Sequence, residues 1–584
     1  MILHPPEMSV ERPMPQPTPQ LSRTDWLLLA GLLIATLLTF SLTFNFGWVY
    51  DDPPQIPQNP NLQWSRLGFL FTHQLWASTA ATQSRFYRPL LTFWFVLNKT
   101  FFGLNPHWFH VTTVVAHVAA TALAFFVARS LLKDVGAALL AAAVFGLHPL
   151  QVESVSWVSG VNDPLAAALC FGSFLSYRRG SSKQQNRGIW WMLAGFLFLL
   201  ALLAKEVSIV LPGIILIDLW LVSRRNSSGA GGFALPVIST YGIVSVFWLA
   251  LRSWALGGAA PMSAPIPCST VLLSAPKIIL FNLYRVIYPR GLSPQYDLRL
   301  IGSPATSGFP LSALALAALI ALAIMAARRD SRLWVALAWL VLPVLPTLNL
   351  RWMNEDDFIH DRYLYMSMLG VGLLVGFAYS GIRKKWPEQN LLRPIAACIV
   401  AVFAFASAIQ SQYWANDVIL FSRAVNRAPE NEWAQLNYGS ALSARNKFAA
   451  AAPYFVRSYE LKPGWRAADF AGFAYQQAGD LPEAERWFNA ALQMDPKLAT
   501  AWFGLGQIRL LQHRPQDAVP YFQKTLEFEP TAQGVHYELG SALEQASQRP
   551  AAIEEYKIEL RLHPDQTGAR KALEQLESGA EPGR

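Results

Sequence analysis

The run from Trp26 to Phe46 carries 21 residues without one charged side chain. As a helix it would reach roughly 30 Å, about the thickness of a bilayer's hydrocarbon core. Ten more apolar stretches follow, at 107–130, 135–150, 162–178, 188–204, 206–223, 233–253, 309–327, 333–350, 362–381 and 391–410. Only 15% of the 584 residues are charged, where a soluble domain carries about 25%. A backbone inside lipid must satisfy its own polar groups, so the expected fold class is all-α: a polytopic helical membrane domain of about eleven spans. The 26–46 run is too long for the apolar region of a signal peptide, and no small-residue cleavage pattern follows it, so it reads as a retained first span. Residues 1–22 are rich in Pro and Gln and read as a disordered cytoplasmic tail.

Charge then orients the spans. Of 47 basic and 38 acidic residues, 18 and 21 lie beyond residue 410, which leaves 29 and 17 in the membrane half. One set of loops holds Arg129 and Lys133, "YRRGSSKQQNRG", "SRRN", "AARRDSR" and "GIRKKW"; the other holds "YDDPP", "HPLQVESVSWVSGVNDP", "AKE" and "NEDDFIHDR". This sorting holds if 269–290, which carries Lys277, Asn282, Tyr284 and Arg285, lies on the surface rather than crossing. The basic loops and the N-terminus are then cytoplasmic. The double aspartate Asp51–Asp52 and everything after residue 411 share the outer side. The net charge of +9 follows from this bias and implies no nucleic-acid partner. Cys170, Cys268 and Cys398 follow no metal or disulfide spacing, and Cys170 and Cys398 read as core residues.

Past residue 411 a period emerges. Pro429, Pro463, Pro496, Pro530 and Pro564 stand 34, 33, 34 and 34 residues apart. Gly439, Gly472, Gly506 and Gly540 recur in step, as do Ala451, Ala484, Ala518 and Ala552, each alanine followed at four residues by Phe455, Phe488, Phe522 or Tyr556. Small residues let paired helices approach, the aromatic fills the space between them, and proline stops the chain before the next pair. This is the tetratricopeptide pattern. It predicts a connecting helix at 411–429, a soluble four-repeat α-solenoid at 430–564 and a tail at 565–584. A solenoid is a scaffold for binding a partner peptide and specifies no chemistry.

The remaining polar and ionisable residues of the membrane half gather at the proposed outer ends of spans, where ten of the 17 acids lie. They include Asp51 and Asp52, Arg85 and Arg88, His148 and Glu153, Asn162 and Asp163, Lys205 and Glu206, Arg252, Arg285, residues 355–357, His360, Asp361 and Arg362. Taken singly they are ordinary: Asp51 and Asp52 fit a solvated loop as well as a catalytic base, and Lys205–Glu206 fits an interface pair. His110 and His117 share a helix face and fit helix packing better than a metal site. Asp218 fits a buried hydrogen-bond partner near the inner end of its span. Their number and one-sidedness, with Trp48, Tyr50, Tyr87, Trp157, Trp254, Tyr284, Tyr363 and Tyr365 interleaved, suit an amphiphilic anionic substrate such as a lipid-phosphate sugar: carboxylate for a proton, cations for phosphate, aromatics for sugar and tail.

These segments carry a resemblance. "YDDPPQIPQNPNL", "FYRPLLTFWFVLN", "GLNPHWFHVTTVVAHV", "FGLHPLQVESVSWVSGVNDPLAA", "LLAKEVSIVLPGIILIDL", "YPRGLSPQYD" and "HDRYLYMSMLG" occur in the order of the transmembrane and tetratricopeptide repeat-containing O-mannosyltransferases, C-type glycosyltransferases (GT-C), which the chain resembles over roughly 24–565. One departure stands out: Gly160-Val161-Asn162-Asp163 replaces the Gly-Arg-x-Asp that family members often carry, which removes a candidate donor contact. The resemblance implies an inverting, metal-independent transfer without a cofactor, of a sugar such as mannose, from a polyprenyl phosphate to Ser or Thr of an acceptor protein. Asp51 or Asp52 would be the catalytic base. The donor's phosphate and sugar would be held by Arg88, His148, Glu153, Asp163, Lys205, Glu206, Arg252, Arg285 and Arg362, and the repeats would present the acceptor. A bacterial inner membrane with periplasmic repeats is expected, with an endoplasmic-reticulum membrane as the alternative. A membrane scaffold for an assembly complex, and a lipid-sugar flippase or polysaccharide export component, are the competing readings. A scaffold needs one span rather than eleven, and a flippase needs polar residues through the bilayer rather than at one rim.

Overall fold

The computed structural model describes residues 20–77, 86–182, 186–225, 231–257, 266–306, 308–350, 357–386 and 391–578. Arg85, Glu355, Asp356 and most of the expected N-terminal tail lie outside them. Among the described residues every regular element is a helix. The chain forms two compact units. The first takes in the chain to Leu292 and Leu300–Asn416; the second takes in Ser293–Arg299 and the chain from Asp417.

Among the described residues of the first unit, nine helices are long and apolar enough to cross a membrane, ten if a bent pair is counted as one span. The chain is a multi-pass membrane protein. The bent pair is Val135–Leu147 with Pro149–Ser156, broken by 48°. Pro149 explains the break, because proline excludes its predecessor, His148, from helical geometry. The expected 135–150 span thus stops early and turns inward. Two further expectations are corrected in the same way. The 333–350 stretch is an α-helix only over Leu333–Val341 and continues as a 3₁₀ turn over Leu342–Leu348, where Pro343 and Pro346 remove backbone donors. The 362–381 stretch enters its helix only at Met368, so Asp361 and Arg362 lie in the 3₁₀ turn Asp361–Leu364 before it. That helix is held by backbone-level packing: a Cβ on Gly372 would stand 2.3 Å from the Ala141 carbonyl oxygen. Only glycine allows that approach, the small-residue packing typical of membrane helices.

Contacts also sort the helix ends. Arg383 meets Asp134 at 3.4 Å and Arg178 meets Asp218 at 3.0 Å, both at the ends expected to be basic and cytoplasmic. Asp218, also bonded by the Tyr177 hydroxyl, is the buried partner its position suggested. The Cys268–Ile287 helix, expected to lie on the surface, is itself apolar enough to cross. Ser274 accepts from the Ile301 N–H, Arg285 binds Asp361, and the Val286 carbonyl accepts from His148. Cys398 is exposed on the Leu392–Ser411 helix and is not the core residue its apolar run suggested.

In the second unit, helix pairs repeat: Glu432–Ser443 with Phe448–Leu461, Trp465–Gln477 with Leu481–Met494, Ala499–Leu511 with Pro515–Phe528, and Val535–Gln545 with Arg549–Leu562. In each pair the glycine sits under the aromatic: a Cβ on Gly439, Gly472 or Gly506 would stand 2.7 Å from Phe455, Phe488 or Phe522, and on Gly540 2.6 Å from Tyr556. The residues expected to be a tail carry one more helix, Thr567–Glu577. Its Ala569 and Leu576 are buried in the last apolar cluster. It continues the stack on the preceding pair, as neighbouring elements of a solenoid do. The expected connecting helix is confined to Asp417–Arg427.

Candidate active site

The double aspartate sits on a turn that local bonds close from both directions. The Asp52 N–H donates to the Val49 carbonyl at 3.0 Å, and Asp52 Oδ2 accepts the Val49 N–H at 3.1 Å. Tyr50 at its centre has φ +59°, a left-handed conformation that costs a non-glycine residue about 1–3 kcal/mol and collects at functional sites. Pro53 and Pro54 follow in the first turn of the short helix Asp52–Gln55, where no backbone donor is needed.

The two aspartates then part company. Asp52 is fully buried, and its Oδ1 accepts both the Ser159 N–H at 2.9 Å and the Ser159 hydroxyl at 2.6 Å. Burial pushes its carboxyl up to about 7, against the pull of those hydrogen bonds and with a small push from Asp51. Asp51 is half-buried. Nothing in the sequence singled out Ser159; its only signal is its place in "WVSG", between the two rim motifs.

Around this turn the structure gathers most of the predicted residues, as carboxylate–cation pairs. Lys205 Nζ binds Asp163 at 2.5 Å, with Ser154 on the other Asp163 oxygen. Arg88 Nε binds Glu206 at 2.9 Å, and the Tyr87 N–H reaches the same carboxylate. Lys205 and Glu206 are therefore not a pair with each other, contrary to the simplest sequence reading: each takes a separate partner. Glu153, almost fully buried, accepts from the Arg362 guanidinium at 2.5 Å and from its N–H at 3.1 Å. His360 Nδ1 stands 3.6 Å from the same carboxylate. The Arg362 guanidinium lies 5.0 Å over the Trp157 ring, which also meets Tyr50 at 5.4 Å and Trp414 at 6.3 Å. Burial lowers the Lys205 ammonium, Asp163 opposes this, and Arg88 and Arg362 push it down further. Those three cations therefore share one neighbourhood. The Tyr50 phenol, raised chiefly by burial, feels Asp357, Asp51, Arg362 and Glu153, which places Asp51 in the same field.

Other predicted residues do different work. Arg285 is 2% exposed, bound to Asp361 at 2.5 Å and to Asn282, and fixes the Cys268–Ile287 helix to the rim. His148 accepts the Leu150 N–H on Nδ1, so its Nε2–H donates to Val286; it joins two segments. Arg252, on the Gly231–Ala255 helix, stands over Trp248 at 5.9 Å. His110 and His117 are packing residues, as expected: His110 Nε2 reaches the Gly47 carbonyl at 3.3 Å. His117 bridges the Gly146 carbonyl at 2.9 Å and the Tyr365 hydroxyl at 2.6 Å. Among the described residues no three of His, Cys, Asp and Glu converge as metal ligands.

A tetratricopeptide-repeat family model matches residues 466–528. Protein O-mannosyl-transferase TMTC1 of Homo sapiens is 24% identical over 497 residues, covering 75% of this chain and 55% of its own. Its Drosophila melanogaster counterpart, Tmtc1, is 34% identical over 199 residues, 33% of this chain and 23% of its own. The chain is a homologue of these O-mannosyltransferases. It spans 53–64% of the length of the first three curated relatives it matches. The crystal structure of ArnT from Cupriavidus metallidurans in the apo state is similar over 82% of this chain and 80% of its own, at 16% identity and TM-score 0.36. Val161 is fully buried in an apolar cluster with Ile56, Leu62, Phe95 and Phe109.

Proposed function

We propose that the chain is a membrane glycosyltransferase that moves a sugar, mannose by the relatives' stated activity, from a polyprenyl phosphate to a Ser or Thr hydroxyl of an acceptor polypeptide. The observation that carries this reading is the half-buried Asp51 on a strained turn whose Tyr50 also lies in the field of Arg362, a cation that shares its neighbourhood with Arg88 and Lys205. In the reaction Asp51 takes the hydroxyl proton as the oxygen attacks sugar C1. The C1–O bond to phosphate breaks with inversion, and the polyprenyl phosphate leaves with the bonding electrons. A neutral hydroxyl is a poor nucleophile, and a positioned base contributes about 10²–10⁴-fold. Arg88 and Arg362, 14% and 16% exposed at their side chains, are the reachable cations for the leaving phosphate. Charge that grows on that oxygen is where fixed donors stabilise most.

Asp52 does not suit the base. Both its oxygens already accept bonds from Val49 and Ser159, and it is closed to solvent; its role is to hold the turn that presents Asp51. Arg285 and His148, earlier candidates for donor contact, act through packing of the rim. Trp157 and Tyr50 give the sugar an aromatic wall. No metal or cofactor enters this scheme. The repeats present the acceptor, and the reaction runs on the outer face of a bacterial inner membrane, with the endoplasmic-reticulum lumen as the equivalent setting.

The test is direct. Purified protein is incubated with polyprenyl-phosphate sugars and a Thr-bearing acceptor peptide, and labelled peptide is measured. Mannose transfer with an inverted anomeric centre supports the reading; no labelled peptide with any donor refutes it. A reporter fused after Arg584 should be active only outside the cytoplasm, and cytoplasmic activity would overturn the sidedness.

A further inference from the structure

One buried imidazole at the rim faces a carboxylate on each side. His360 Nδ1 stands 3.6 Å from Glu153 Oε1, and its Nε2 stands 3.5 Å from Asp357 Oδ1. The ring is 1% exposed, and Tyr363 meets it edge-on at 5.1 Å. A neutral imidazole carries one N–H and turns a lone pair toward the other carboxylate; only the imidazolium donates to both. Both distances exceed the roughly 2.7–3.2 Å of a made hydrogen bond, so the ring is placed between its two acceptors without being drawn onto either.

The Glu153 oxygen that His360 faces is already taken. Arg362 binds the same Oε1 at 2.5 Å, and its N–H holds Oε2 at 3.1 Å. Arg362 feels Asp357 as well, so one guanidinium serves both carboxylates. A protonated His360 would be a second cation competing with it for one oxygen, and like charges at close range disfavour that proton. Arg88 and Lys205, the other cations of this neighbourhood, have carboxylates of their own in Glu206 and Asp163. The charged and titratable groups around the ring are therefore Glu153, Asp357, Arg362 and Tyr363, with Tyr50 and Asp51 in the same field. Among them His360 is the group set to answer a change at Arg362.

We infer that His360 is a positioning residue that takes up a proton when Arg362 turns from Glu153 to the phosphate of the lipid donor. The inference rests on the proposed role of Arg362 as a phosphate cation, and it couples that role to pH. The phosphodiester brings one negative charge and draws the guanidinium from Glu153 Oε1. A proton enters past Asp357, whose side chain is 24% exposed, and settles on the ring. The imidazolium then donates from Nδ1 to Glu153 and from Nε2 to Asp357, and replaces the charge that Arg362 has withdrawn. Binding that takes up a proton weakens as pH rises.

The full-length protein in lipid nanodiscs is titrated calorimetrically with methyl farnesyl phosphate, a phosphodiester that does not itself titrate near neutral pH. Tris and Mops buffers, whose ionisation heats differ, report the protons exchanged, and heats into empty nanodiscs are subtracted. The unaltered protein should take up about 0.5 proton or more per bound diester near neutral pH, and its affinity should fall about three- to tenfold from about pH 6 to 8. His360→Gln should bind the diester with no measurable proton uptake and a flat pH profile. If that variant does not fold, Asp357→Asn at the more exposed partner decides, and should lower the uptake by about half or more. Binding by the unaltered protein without proton uptake, or uptake that persists undiminished in the folded variant, overturns the inference and leaves the donor reading standing. No binding of the diester by the unaltered protein refutes the donor reading itself, and the inference with it.

Discussion

The two units hold their charges in opposite ways. Beside the double aspartate, Lys205 and Asp163 are 8% and 5% exposed at their side chains, and Arg285 and Asp361 are 2% and 6%. In the solenoid, Lys524–Glu527 and Arg514–Asp517 are roughly half exposed on both sides. Water screens the second kind, and each such pair contributes little. The first kind has lost its water, so each member depends on its partner. Exposed pairs such as these serve solubility; charge at the rim is an interlocked lattice in which loops far apart in sequence hold each other. That lattice suits chemistry, since a fixed array of charges needs no rearrangement when a new charge develops.

The comparison can be broken most severely at Lys205. Lys205→Met leaves Asp163 buried with Ser154 as its remaining described hydrogen-bond partner. It should cost about 3–5 kcal/mol in a denaturant titration, with much of the loss recovered by adding Asp163→Leu. Next comes packing in the solenoid. Gly506→Val places a Cβ 2.7 Å from the Phe522 ring and should lower the melting temperature of the repeats by the equivalent of about 1–3 kcal/mol. A third effect is read from pH. Asp52 titrates near 7 when folded, against 3.8 for an ordinary aspartate. The folded state therefore binds its proton more tightly, and stability falls as pH rises between those two values and levels off above about 7. Asp52→Asn should flatten that fall, visible in unfolding free energy measured from pH 4 to 8. At the small end, Lys524→Ala should change stability by less than about 0.5 kcal/mol, a control that sharpens the contrast with Lys205.

What the sequence could announce follows from what is local. The repeats are set by spacing, and the glycine-to-aromatic contacts follow from it residue by residue. Proline foretells the broken ends at Pro149, Pro343 and Pro346, although hydropathy alone drew those spans straight through. That these charged residues belong together was legible from their crowding into a few loops. Their pairing was not: Arg88 meets Glu206 across 118 residues, Arg362 meets Glu153 across 209, and His117 meets Tyr365 across 248. No periodicity connects positions so distant. The division between Asp51 and Asp52 was also hidden, because it depends on Ser159, 107 residues away from Asp52, which turns one of two equivalent-looking carboxylates inward.

That division is the centre of the account, and single-turnover transfer measures it. Purified Asp51→Asn and Asp52→Asn proteins are compared with the unaltered chain, with polyprenyl-phosphate mannose and a Thr-bearing peptide in excess and folding verified by thermal melts. Asp51→Asn should slow the chemical step by about 10²–10⁴-fold with its melt unchanged, while Asp52→Asn should alter stability and its pH profile more than the rate. A folded Asp51→Asn protein that transfers sugar at the unaltered rate would contradict it.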